Sequence, residues 1–89
     1  MILRDLIINN ETGLHARPAT LWVQAANRFK STIKLKKGER EVDGKSLLGI
    51  LALGLSAGSR VQLIVDGPDD EAAAAALTQF IDELAAKGE

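Results

Sequence analysis

Gly13-Leu14-His15-Ala16-Arg17-Pro18-Ala19 is the stretch from which the rest of the chain is read, because an apolar strand-like run ends before it and a helical pattern begins inside it. Pro18 is tolerated in the first turn of a helix, where its missing N–H would have no intrahelical partner. Helix is therefore expected from Ala16 or Arg17, with His15, the only histidine of the chain, at or just before the N-cap. Such an end carries unpaired backbone N–H groups and a partial positive charge, which suits an anion. Arg17 adds a permanent cation with a fork shaped for phosphate. The three together describe a place where a histidine could carry a phosphoryl group. The competing reading is a surface histidine or a satisfied core one, which a lone His in a small domain usually is.

The 89 residues make one domain, 1–89, with no room for a second core. Apolar residues form 46% of the chain and charged ones 26%, a globular rather than a disordered balance. Trp22, Phe29 and Phe80 are the only large aromatics, so the core must be mostly aliphatic. Without cysteine there are no disulfides or thiolate metal sites, and a reducing cytoplasm is the natural compartment. Arg4 and Asp5 arrive too early for a signal-peptide core, and no apolar run approaches membrane-spanning length. The acids near His15 lack ligand spacing, so neither metal nor cofactor is expected.

Charge is unevenly spread. Residues 1–45 hold nine Lys/Arg against five acids, and residues 46–89 hold two against seven, giving +4 and −5 for the halves. A cationic region around His15 would steer acidic protein partners. Near-zero net charge, no recognition-helix pattern and no aromatics among the lysines argue against nucleic acid as a direct partner.

Ile2 to Ile8 reads as a strand with Leu6 and Ile8 toward the core, followed by a loop from Asn9 to Gly13. In the helix from about Ala16 to Asn27, the spacing of Ala19, Trp22, Val23 and Ala26 makes one buried face, with Phe29 beneath its end. Ser31 to Lys37 alternates, Ile33 and Leu35 inward and Lys34 and Lys36 outward. Lys37-Gly38 forms a hairpin turn, and Glu39 to Asp43 returns as a short strand. Ser46 is placed to cap a short helix over Leu47 to Leu53. That helix cannot bury every side, so Ile50 and Leu53 should face the core and Leu47, Leu48 and Leu51 should be partly exposed. The alternative is that all five are core.

Leu55 to Ser59 reads as a turn, and Arg60 to Asp66 as a strand with Val61, Leu63 and Val65 on one side. Gly67-Pro68-Asp69-Asp70-Glu71 starts a last helix, with an Asp at the cap, running to about Ala86 with Leu77, Phe80, Ile81 and Leu84 on its apolar face; Lys87-Gly88-Glu89 should fray. The order β-α-β-β-α-β-α with short connections predicts an α+β fold: a four-stranded, mainly antiparallel sheet with three helices on one face.

Gly13 to Ala19 resembles the active-site signature of the HPr family, the histidine-containing phosphocarriers of the bacterial sugar phosphotransferase system. Val42-Asp43-Gly44-Lys45-Ser46-Leu47-Leu48-Gly49-Ile50-Leu51-Ala52-Leu53-Gly54 resembles the family's second signature, around a regulatory serine. Spacing, length and element order match over nearly the whole chain. The resemblance implies an HPr-like open-faced β-sandwich. It implies that His15 accepts a phosphoryl group on Nδ1 from Enzyme I, itself charged by phosphoenolpyruvate, and passes it to IIA proteins or domains. Arg17 would stabilise the phosphate, Pro18 would start the helix, and Ala16, Thr20, Leu47, Leu48 and Leu51 would meet the partners.

By the same resemblance, Ser46 is the target of the HPr kinase/phosphorylase, after which the protein can act as corepressor for a catabolite-control transcription factor. The carrier is expected to be a cytoplasmic monomer. Two HPr-like alternatives stay open: a purely regulatory module, in which relatives keep the serine and lose the histidine, and a nitrogen-type phosphocarrier not coupled to sugar transport. A stand-alone hydrolase has thin support, since His15 has no paired acid or nucleophile.

Overall fold

The computed structural model describes residues 1–86. Its elements follow the order β1 (Ile2–Ile7), α1 (Ala16–Ala26), β2 (Thr32–Lys37), β3 (Arg40–Asp43), α2 (Leu47–Leu53), β4 (Arg60–Asp66) and α3 (Asp70–Ala86). The sheet has the order β1-β4-β2-β3, and all three pairings are antiparallel rather than mainly so. Residues 87–89, expected to fray, lie outside the described residues.

Alternation along the strands decides which side is covered. Leu6, Ile33, Leu35, Val61, Leu63 and Val65 are buried under the helices, whereas Leu3, Asp5, Lys34 and Lys36 are exposed on the other side. The expected helical faces close the core from above with Ala19, Trp22, Ile50, Leu53, Leu77, Ile81 and Leu84. Trp22 is fully buried, meets Phe80 of α3 edge-on at 5.8 Å and 76°, and donates its indole N–H to the Gly44 carbonyl at 2.9 Å. One aromatic thus ties α1 both to α3 and to the chain entering α2.

Several boundaries move. The hairpin turn is Gly38-Glu39, because Lys37 still pairs with Arg40, and Gly38 takes a φ of +62° that glycine adopts without a Cβ penalty. Ile8 is buried beyond the end of β1, where its N–H donates to Ser59 and its carbonyl accepts from Gly58. Leu55, read as turn, is buried. Ser31 precedes β2 instead of opening it. Asp69 stands at the start of α3, but its carboxylate reaches across to accept from the N–H groups of Lys30 and Ser31, both at 2.9 Å.

Candidate functional site

Helix α1 begins at Ala16 with His15 as its N-cap, in extended conformation (φ −83°, ψ −171°) and with no capping hydrogen bond from its side chain. The first helical bond runs from Ala19 N–H to the His15 carbonyl at 2.9 Å. The N–H groups of Ala16 and Arg17 come before that bond and have no intrahelical partner, and Pro18 has no N–H to orphan. No acid occupies the first turn, and His15, Ala16 and Arg17 are exposed while Pro18 is buried. This end therefore offers two N–H donors and the positive end of the helix, with exposed Arg17 as the cation of its first turn and no fixed negative charge there. Thr20 is exposed one turn later, its hydroxyl donating back to the Ala16 carbonyl at 2.7 Å.

The loop before His15 is clamped. Asn10 is buried and donates from its side-chain amide to the Gly13 carbonyl at 2.7 Å. Gly13 has φ +66°, and a Cβ there would stand 2.3 Å from the Leu55 carbonyl oxygen, so any side chain would force the two loops apart. The Leu14 N–H donates to that same carbonyl at 2.8 Å, and both leucines are buried. His15 is thus presented from a fixed point beside the chain leaving α2.

Helix α2 supplies the apolar neighbour. Ser46 is its N-cap, its hydroxyl oxygen accepting from Gly49 N–H at 3.1 Å, and Gly54 closes it in the left-handed conformation. Ile50 and Leu53 are buried, Leu47 is half-buried, Leu51 is 38% exposed and Leu48 is 80% exposed. The split expected from a short helix on a small core is what the structure has. Leu51 shares a shallow hollow of about 320 Å³ with His15, walled by Thr12, Leu14, Gly54, Leu55 and Ser56. Leu47 and Leu48 lie four and three residues before Leu51, on the same side of the helix.

Arg17 and Ser46 lie outside this hollow. Lys45, next to Ser46, is already engaged, its ammonium donating to the Phe29 carbonyl at 2.7 Å.

Leu14, Gly54 and Leu55, which wall the hollow, and Leu21, which is 42% exposed one turn after Arg17, are not among the site residues expected from the sequence. Nor is Lys37, which is in phase with buried Ile33 and Leu35 and therefore leaves β2 on the core side. Among the described residues no group of three or more His, Cys, Asp or Glu could hold a metal ion, and no helix is long and apolar enough to cross a membrane.

The fold thus sets an exposed histidine at a helix start, flanked by a leucine-bearing helix, on a four-stranded antiparallel sheet. The model of the family "PTS HPr component phosphorylation site" matches residues 2–83, and the chain belongs to that family. It is 43% identical over 80 residues to the phosphocarrier protein HPr of Treponema pallidum, covering 90% of this chain and 91% of that one. It is 40% identical over 83 residues to the HPr-like protein Crh of Bacillus subtilis, covering 93% and 98%. A crystal structure of that Crh, described as a dimer with a swapped domain, aligns with a TM-score of 0.75 over 94% of this chain and 97% of its own. The crystal structure of HPr from Thermoanaerobacter tengcongensis aligns with a TM-score of 0.93 at 43% identity, over 97% of each chain.

Proposed function

We propose that the protein is a phosphocarrier that accepts a phosphoryl group on His15 Nδ1 from Enzyme I, charged by phosphoenolpyruvate, and delivers it to IIA proteins or domains of the sugar phosphotransferase system. The observation that carries this reading is the exposed N-cap histidine at a helix end with two unpartnered N–H groups and no acid in its first turn. In the transfer, the Nδ1 lone pair forms the N–P bond while the donor–phosphorus bond breaks and its electron pair leaves with the donor atom. The N–H dipoles and Arg17 then hold the phosphoryl oxygens without bonding to phosphorus, so onward transfer stays open. Leu47, Leu48 and Leu51, with Ala16 and Thr20, form the docking surface, small apolar anchors inside a polar rim. No resident metal or cofactor takes part, and the carrier works in the cytoplasm as a monomer, since one chain supplies acceptor, cation and patch.

Ser46 is the regulatory site in this reading, phosphorylated by the HPr kinase/phosphorylase and presented to a catabolite-control transcription factor. A phosphate there would meet the unpaired N–H groups of the α2 start rather than Lys45, which is held by Phe29. The likeness to Crh favours a second reading, a regulatory module, and the presence of His15 weighs against it.

Incubation with Enzyme I and labelled phosphoenolpyruvate separates the readings. Acid-labile label on His15 is expected of the carrier, no label of the module, and released phosphate of a hydrolase.

A further inference from the structure

We propose that Lys37 is a positioning residue for phosphoryl transfer, holding the C-terminal end of α2 and, through it, the loop that presents His15. The half-buried Lys37 ammonium donates to the carbonyls of Gly54, at 3.0 Å, and Leu53, at 3.4 Å. The last carbonyls of a helix lack intrahelical partners and carry partial negative charge, so a lysine is well matched to them. With only seven residues, α2 forms few internal hydrogen bonds and depends on what holds it from outside. Ser46 ties its first turn, and Lys37, reaching from β2, ties its last.

The chain just beyond Gly54 gives the tie its reach. The next residue, Leu55, accepts the Leu14 N–H at 2.8 Å, Gly13 is pressed against the same carbonyl, and Leu14 precedes His15. Lys37, Gly54, Leu55, Leu14 and His15 therefore form one contiguous run of covalent links and hydrogen bonds no longer than 3.0 Å. Leu51, which lines a hollow with His15, joins the run through its carbonyl, which accepts the Gly54 N–H at 3.2 Å. A partner docked on the leucines must bring phosphorus to Nδ1, and misplacement by about 1 Å can cost a rate factor of about 100. The kinetic consequence rests on the phosphocarrier reading; the structural one does not.

Two variants and two measurements test this. Lys37→Met keeps the length of the stem and loses the donors, and Lys37→Arg keeps a cationic donor. In Lys37→Met, hydrogen exchange at the Leu14 amide should accelerate at least about tenfold while the β4 amides within the sheet stay protected. The kcat for His15 phosphorylation by Enzyme I should fall about tenfold, with KM within about twofold of wild type. Lys37→Arg should restore most of both. Unchanged Leu14 exchange overturns the proposal whether or not Enzyme I labels the protein. Faster exchange throughout the sheet, or a wild-type kcat beside faster Leu14 exchange, also overturns it, leaving Lys37 as a stabilising contact only. Failure of Enzyme I to label the wild type removes the phosphocarrier reading instead, and Leu14 exchange still decides the structural tie.

Discussion

Ser31 and Asp69, 38 positions apart in the chain, share one carboxylate oxygen: it accepts the Ser31 N–H at 2.9 Å and the Ser31 hydroxyl at 2.5 Å. The second oxygen accepts the Lys30 N–H at 2.9 Å. The turn before β2 is thereby fastened to the start of α3.

These bonds favour the charged carboxylate, the Ser31 hydroxyl first and the Lys30 amide next, and bring the Asp69 pKa from 3.8 to about 2. A folded-state pKa below the unfolded one means that the stabilisation is present above about pH 4 and is lost as pH falls toward 2. Asp69→Ala should melt below wild type at pH 7, since it removes the acceptor of the Lys30 and Ser31 N–H groups. That gap should close between pH 4 and pH 2 in thermal melts. A gap that persists unchanged to pH 2 would show that the carboxylate charge plays no part.

His15→Ala should lose all phosphoryl acceptance from Enzyme I while keeping its melting temperature, because the ring is exposed and caps nothing. Arg17→Ala should keep the fold and slow transfer to a IIA partner at least about tenfold. Label on the His15→Ala protein, or full-rate transfer by Arg17→Ala, would remove these residues from their roles.

Leu48→Asp should weaken transfer from Enzyme I and to IIA alike, with a melting temperature close to wild type, since Leu48 is 80% exposed. Its neighbour two positions on makes the control. Ile50 is fully buried, so Ile50→Ala should cost about 2–4 kcal/mol in denaturant unfolding. Equal destabilisation by the two changes would place the leucines in the core.

At Ser46 the cap and the switch can be told apart. Ser46→Ala removes the acceptor for the Gly49 N–H and should cost about 1 kcal/mol. Ser46→Asp keeps an acceptor and adds charge at the positive end of α2, so it should melt at or above the wild-type temperature. Phosphorylation of His15 by Enzyme I should nevertheless be slower, because the new charge stands at the edge of the leucine patch. A wild-type rate in that variant leaves Ser46 as a helix cap alone.

Much of this arrangement is legible in the sequence where periodicity meets burial. The alternation through Ile33 and Leu35, and through Val61, Leu63 and Val65, decides the covered side of the sheet. Pro18 and Ser46 mark both helix starts of the site. Leu14 and Leu55 were not legible, because neither lies in a periodic run: they are buried where two glycine-containing loops meet, joined by the Leu14–Leu55 hydrogen bond. Lys37 carried a signal, its phase with Ile33 and Leu35, which its charge masked. Asp69 has the composition of a helix cap, and only the approach of Ser31 from a distant turn gives its carboxylate another use.

Trp22, the only tryptophan of the chain, is sealed from solvent, stands edge-on to Phe80 and is held by Gly44. The molecule therefore carries its own optical reporter, one indole whose emission responds to the seating of all three helices at once. Loosening of α1, α3 or the entry to α2 should red-shift that fluorescence, whereas a partner settling over Leu48 should leave it unmoved. Unfolding and docking can thus be followed as separate signals on unlabelled protein.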